Sequence, residues 1–391
     1  MRKVKIGLIT APGFSSQFTK NIIEILKIKL KESVSNNVNW EIYMEKNSVI
    51  GSAEHVNQCV DLSNNIKKEN QWNYAICITD LPSISNHKVV ISDFSSRNKT
   101  GLISLPSLGV FNLNNKLCES LNYMIYAFYF SQEITDNKNI KYYNLHLKQK
   151  VSKVVPSEKT SANNRYIYKY TLIGFIYLIM GMVMANRPWK AVFAFKKILS
   201  LGFATGTYIS IFSTPWQLSI EFSFMRFILL MIISIGGIIL WLIYAHNLWE
   251  KASSKSQKQY RYLYNTTTFI TLLNINVINY IFLFLLLSLS SYFFVPDSLF
   301  DSMAKPNTHN DIQNFLRLSW FTTSVGLIAG AFGSTIENKE VVQEMTYSSR
   351  QSQRTQEVNK QYKQEEEFSK KVLEKKNMRE KNNLIRRGLS G

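Results

Sequence analysis

Residues Phe224–Ala245 read FMRFILLMIISIGGIILWLIYA, twenty-two residues with a single charge at Arg226. A helix needs about 20 apolar residues to reach across the ~30 Å hydrocarbon core of a bilayer. This stretch therefore predicts a membrane span, and it divides the rest of the chain. Further apolar runs flank it at Tyr166–Ala185, Ile198–Phe212, Phe269–Phe294 and Leu318–Ile336. Before Tyr166 short β-type runs alternate with amphipathic stretches, and after Asn338 the chain is charged and polar. The expected organisation is an α/β domain over 1–140, a linker over 141–165, and an interfacial or re-entrant helix over 166–190. A transmembrane bundle over 191–337 and a charged tail over 338–391 complete it.

Loop charges orient the spans. Trp249–Arg261 carries Lys251, Lys255, Lys258 and Arg261 against Glu250, which places it in the cytoplasm by the positive-inside bias. Ser213–Ser223 has Glu221 alone, and Val295–Leu316 has Asp297, Asp301 and Asp311 against Lys305, so both are expected outside. A cytoplasmic head and a cytoplasmic tail require an even number of crossings. Four spans satisfy every loop, with Tyr166–Ala185 left at the membrane surface beside Arg187-Pro188-Trp189-Lys190, whose aromatic and basic side chains suit headgroup depth. Ile198–Phe212 is short unless Ala191–Phe195 joins it, which makes Lys196 and Lys197 snorkel. Met1–Lys5 is basic, but Ile6–Ile9 meets Pro12 and Gly13 too soon for a secretory signal.

The net charge of +19 raises nucleic acid as a partner, yet the basic residues are spread through head, loop and tail with no Arg-rich motif. Membrane lipids with anionic headgroups account for the same charge, and nucleic acid is excluded. Cys59, Cys77 and Cys118 are an odd number without C-x-x-C spacing, which argues for reduced thiols, no disulfide frame and no metal site. The tail, including QEEEFSKKVLEKKNMREK, places acids before bases at helical spacing without a sustained apolar seam. It reads as a solvated helix that frays.

Within the head, Lys3–Thr10, Trp40–Met44, Trp72–Leu81, Lys88–Phe94 and Gly101–Leu105 read as strands. Helices fit the stretch carrying Phe18, Ile22, Ile25, Leu26 and Leu30, a second from Ser52 to about Asn70, and a third over Leu113–Ser131. The order βαβαβββα implies a mostly parallel sheet with covering helices and Lys88–Phe94 antiparallel. In such sheets ligands bind beyond the carboxyl ends of the strands. That rule nominates Pro12 and Gly13 after the first strand, Thr79 and Asp80 after the third, and Ser104 after the last. Asp80 there can hold a ligand hydroxyl or act as a base, or with Thr79 and Pro82 simply close a turn. ITAPGFSSQ lacks G-x-G-x-x-G, and no G-x-x-x-x-G-K-[ST] occurs, so no cofactor is signalled.

In the membrane half, Gly202xxxGly206 and Gly326xxxGly330 fit close helix packing, within the chain or in a homo-oligomer. Asn274, Asn276 and Asn279 read as lying on different faces. With Arg226 and His246 they are the polar groups a transport pathway would use.

Two resemblances add to this reading. The run WNYAICITDLP, KVVISDF, GLISLPSLG and then a helix resembles the archaemetzincin branch of the zincins. That helix, LNNKLCESLNYMIYAFYF, carries Glu119 but no His, so the resemblance implies a zincin-like pseudoenzyme without a metal. Over almost the whole chain, IGLITAPGF, VNWEIYMEKN, WNYAICITDLP, GMVMANRPW, WLIYAHNLWE and LYNTTT are similar to a family of Gram-positive bacterial membrane proteins often labelled 5,10-methylene-tetrahydrofolate dehydrogenase. The label implies a folate-linked oxidoreductase, in which Asp80 with Ser104 or Lys116 would act. The residues by themselves point to a non-catalytic membrane protein with a ligand-binding or regulatory head, or to a component of a small-molecule transporter.

Overall fold

A computed structural model of the protein describes residues 2–47, 56–130, 151–154, 164–250, 258–296, 298, 300, 302 and 312–333. The tail 338–391, Ser52, the loop lysines Lys251 and Lys255, and the acids Asp297, Asp301 and Asp311 lie outside these residues. The chain falls into two compact units, with the boundary between Gly181 and Met182.

The first unit is an α/β domain. Its strands are β1 (Arg2–Thr10), β2 (Val38–Lys46), β3 (Tyr74–Thr79), β4 (Ile84–Ser85), β5 (Lys88–Ser95), β6 (Thr100–Ser104), β7 (Val151–Val154) and β8 (Asn164–Tyr168). They form a sheet in the order β2-β1-β3-β6-β5-β8-β7, with β4 paired to β5. β2, β1, β3 and β6 run parallel, whereas β5, β8 and β7 join antiparallel. The sheet is mixed, not mostly parallel as the element order implied. The difference comes from residues 151–168, read as linker and as the start of the surface helix, which add two strands. Their charge disguised them: Arg165 can sit within β8 because Asp93 of β5 is its cross-strand partner.

β3 is buried along its whole length, as a central strand covered on both faces must be. The period of two sorts its side chains. Ala75 and Cys77 join Ile9, Cys59, Ile66 and Leu102 in a core shared with α2 (Val56–Glu69). On the other face Tyr74 meets Phe128 of α3 (Leu113–Phe130). There Phe94 stacks on Tyr166, and the hydroxyls of Tyr123 and Tyr166 lie 2.6 Å apart. α1 (Phe14–Ser33) buries Ile22, Leu26 and Leu30, a stripe at i, i+4, i+8. Gly7 is obligatory in β1, since a Cβ there would fall 1.7 Å from the Trp72 ring.

After β8 the chain enters α4 (Thr171–Ala185), an apolar helix of 15 residues. In the second unit follow a helical turn at Pro188–Ala191, a 3₁₀ turn at Val192–Phe195, α5 (Lys196–Ile209) and α6 (Ser213–Glu221). The long helices come last: α7 (Phe224–His246), α8 (Lys258–Phe294) and α9 (Ile312–Gly333). These three are long and apolar enough to cross a membrane. α5, with 14 residues, is not. Ser213–Ser223, read as a loop, is largely the helix α6. Trp216 anchors it, buried against Phe300 and donating its indole N–H to the Ser210 carbonyl at 2.7 Å.

Candidate functional site

Three parallel strands deliver their carboxyl ends side by side. Thr10 of β1 pairs with Ile78, and Thr79 pairs with Ser104 of β6. The register continues into the loops, where the amide of Ala11 donates to the Ile78 carbonyl at 3.1 Å and that of Leu105 to the Thr79 carbonyl at 2.9 Å. Pro12–Gly13, Thr79–Asp80 and Ser104 are thus on adjoining strand ends, all at the carboxyl edge.

Their chemistry is largely turned inward. Thr79, Asp80 and Ser104 are buried. The Thr79 hydroxyl oxygen accepts the Leu81 amide at 3.1 Å, closing the local turn that short hydroxyl side chains favour. Ser104 donates its hydroxyl to the Leu81 carbonyl at 2.8 Å and accepts that of Ser107 at 3.0 Å. Tyr168 in turn donates to the Ser107 carbonyl at 2.8 Å. Burial raises the Tyr168 phenol well above its ordinary value and keeps it a neutral donor.

Gly13 differs from these residues. It holds φ +94° at the start of α1, and a Cβ there would meet nothing within 4 Å. The loop is open to solvent at this point, above the N-terminus of a 20-residue helix. The Ser16 hydroxyl folds back on the Gly13 carbonyl at 3.1 Å, while the Ser15 hydroxyl is buried with no hydrogen-bond partner.

Lys116, which only the family label singles out, lies at the same edge. Its ammonium donates to the Leu108 carbonyl at 2.9 Å and lies 5.2 Å from the centre of the Tyr177 ring. This neutralises a C-terminal carbonyl of the Pro106–Leu108 turn. Glu119 lies elsewhere on α3, 3.9 Å from Lys29 of α1. Among the described residues no three His, Cys, Asp or Glu side chains gather where they could hold a metal ion. Burial pushes the Cys59 thiol up to about 12 and also raises Cys77 and Cys118. All three are buried thiols in positions where the reactive thiolate is disfavoured.

Three further charged residues, Asp93, Arg165 and Arg317, hold buried polar contacts. Both guanidinium bonds of Arg165 go to one oxygen of Asp93, at 2.6 and 2.8 Å, and a third reaches the Ser85 hydroxyl at 2.7 Å. Asp93 Oδ1 is left buried without a partner. Desolvation therefore outweighs the guanidinium, and the carboxyl is pushed up to about 6. In the second unit Arg317 of α9 donates to the carbonyls of Ser219 at 2.9 Å, Ile220 at 3.1 Å and Phe222, and lies over the Phe227 ring. It caps α6 with a cation at the negative end of the helix dipole.

The four glycines named for helix packing meet in one crossing. A Cβ on Gly326 would fall 2.6 Å from the Gly202 carbonyl, one on Gly330 2.5 Å from that of Ile198, and one on Gly206 2.6 Å from Leu287. The backbones of α5 and α9 thus approach within the chain to a distance only glycine allows. The asparagines fall on two faces of α8. Asn276 and Asn279 share the buried face of α8, one turn apart, while Asn274 points outward and bonds its own helix at the Ile270 carbonyl.

No protein-family model, curated protein or solved structure matches this chain.

Proposed function

We propose that the chain is an integral membrane protein whose α/β domain is a cytoplasmic, non-catalytic head that binds a small ligand at the carboxyl edge of its parallel strands. The observation that carries this reading is the convergence of the Gly13 loop, the Thr79–Asp80 turn and Ser104 on one edge. Gly13 is open to solvent and has α1 amides beneath it. Inward hydrogen bonding at Thr79 and Ser104 favours binding over catalysis, since it rigidifies the edge and engages both hydroxyls with backbone groups. Four spans are the membrane arrangement proposed, with Pro188–Ile209 as the first. Its consecutive helical turns add to roughly 35 Å, and the long stems of the exposed Lys196 and Lys197 suit snorkelling.

The test uses the full chain in detergent, titrated with nucleotides, folates and metal ions while its melting temperature is read. A ligand at a hundredfold excess over Kd adds about 2.7 kcal/mol, and Asp80→Asn should remove that gain. If no compound moves the midpoint, ligand binding fails and a scaffold takes its place. A folate-linked oxidoreductase is the second reading, favoured by Lys116 reaching the same loop as Ser104. NADP reduction with methylene-tetrahydrofolate, abolished by Asp80→Asn, would replace the first reading with this one.

A further inference from the structure

α4 has two apolar faces, and they meet different surroundings. Its inner face carries Gly174, Tyr177 and Gly181 against the α/β domain. A Cβ on Gly181 would fall 2.1 Å from the Pro106 carbonyl, and one on Gly174 2.9 Å from Tyr168. Tyr177 fills the space over Gly109, which holds φ +77° and where a Cβ would lie 2.5 Å from that ring. The outer face carries Leu172, Ile176 and Met180 at i, i+4, i+8, exposed by 80%, 61% and 43%. Water would be a costly neighbour for such a stripe, at ~25 cal/mol per Å² of apolar surface.

We propose that this outer face is seated in the headgroup–acyl boundary of an anionic bilayer, and that α4 acts as a lever joining that seat to the Ser104–Gly109 loop. The bilayer is the occupant for three reasons. The stripe is preceded by exposed Lys169 and Tyr170, the cation and aromatic that settle at headgroup depth. The same chain carries three helices able to cross a membrane, so a bilayer is always within reach. And α4, at 15 residues, is roughly 22 Å long, too short to cross but well suited to lie along the surface.

The lever follows from the inner face. The Pro106 carbonyl accepts the Gly109 amide at 3.0 Å and abuts Gly181, so α4 packs on the atom that closes the loop. Lys116 ties Leu108 to Tyr177, and Tyr168, three residues before α4, holds Ser107. From Ser107 the contact passes to Ser104 and the turn after Asp80. Membrane seating thereby orders the carboxyl edge. The lever's consequence for ligand binding rests on the function proposed above; the lipid seat does not.

Spin labels at Leu172→Cys, Ile176→Cys and Met180→Cys, one at a time, in the full chain in phosphatidylcholine–phosphatidylglycerol vesicles test the seat. All three should be open to oxygen and closed to a water-soluble nickel chelate, at depths of about 5–10 Å. Nickel access, shielding from both probes as under a protein partner, or a depth that grows steadily along α4 would overturn it. Hydrogen exchange in the same vesicles tests the lever without any ligand. Ile176→Asp, which alters only the outer face, should speed exchange of the Leu105 and Gly109 amides roughly tenfold, with Leu102 and Ile103 of β6 unchanged. Gly181→Val should do the same from the inner face. Unchanged exchange at Leu105 and Gly109 in both variants would sink the lever even if the seat stands.

Discussion

Asp93 spends its charge badly. One oxygen takes both guanidinium bonds from Arg165 and the other is buried without a partner, so the fold favours the protonated acid. With the carboxyl at about 6 against an ordinary 3.8, the folded state binds the proton more tightly than the unfolded chain. The stability this gives is complete below pH 3.8 and is lost as pH rises through about 6. Relative to Asp93→Asn, the wild type should lose on the order of 2–3 kcal/mol between those limits. Unfolding midpoints at intervals from pH 4 to 7.5 read the difference, and parallel profiles would refute it. Arg317 makes the opposite use of its charge, with three backbone carbonyls engaged at the end of α6. Arg317→Leu should cost about 3 kcal/mol because those carbonyls are then left without partners. Arg317→Lys should not restore the loss, since an ammonium cannot fork to three acceptors. Melting temperatures in detergent rank the three proteins, and a lysine variant at wild-type stability would contradict the role. Neither pair was legible in the sequence: Asp93 and Arg165 lie 72 residues apart, Arg317 and Ser219 98.

At the scale of elements, legibility followed the strength of the repeat. β1, β3, β5, β6, α1 and α3 could be read because apolar residues recur at periods of 2 or 3.6 over enough positions, as in the wholly buried Tyr74–Thr79. β7 and β8 could not, having four and five residues and a lysine and an arginine between them. The missing strands turned a mostly parallel sheet into a mixed one. The strand-end residues were correctly ordered on one edge, but their inward bonds are tertiary facts that no pattern carries. α6 failed for a different reason: nine residues with Pro215 near the start look like a loop until Trp216 is given its pocket. Glycine spacing was readable, while the partner of each glycine was not. The crossing of α5 on α9 now gives it a cost. Gly326→Leu and Gly330→Leu should each destabilise by about 3 kcal/mol through overpacking. Gly236→Ala and Gly237→Ala, whose Cβ atoms would meet nothing within 4 Å, should stay within ~0.5 kcal/mol of wild type. Unfolding titrations in mixed micelles separate the two classes, and equal losses in all four would show that the crossing is not where stability resides.

For the whole molecule the open quantity is the number of crossings, because it decides which side of the membrane the α/β domain occupies. Three helices meet the length and hydropathy a span demands, and a fourth crossing depends on α5. Parity is the lever for deciding. With three spans the α/β domain and the tail stand on opposite sides, and with four they share one. The charges speak for four, since the basic loop Trp249–Arg261 puts Ser213–Ser223 outside, while the segment entering α5 is itself basic, with Arg187, Lys190, Lys196 and Lys197. The arrangement is measurable with single cysteines at Thr160, Leu218, Lys255 and Lys305, labelled in sealed inverted and right-side-out vesicles by a membrane-impermeant maleimide. The native thiols are buried and raised well above the pH of the experiment, so they stay silent. Four spans predict labelling of 160 and 255 from the cytoplasmic face and of 218 and 305 from the other. If 160 and 218 label from the same face, Pro188–Ile209 does not cross. The α/β domain would then be external unless the basic loop after α7 broke the positive-inside bias, a departure the label at 255 would expose in the same experiment.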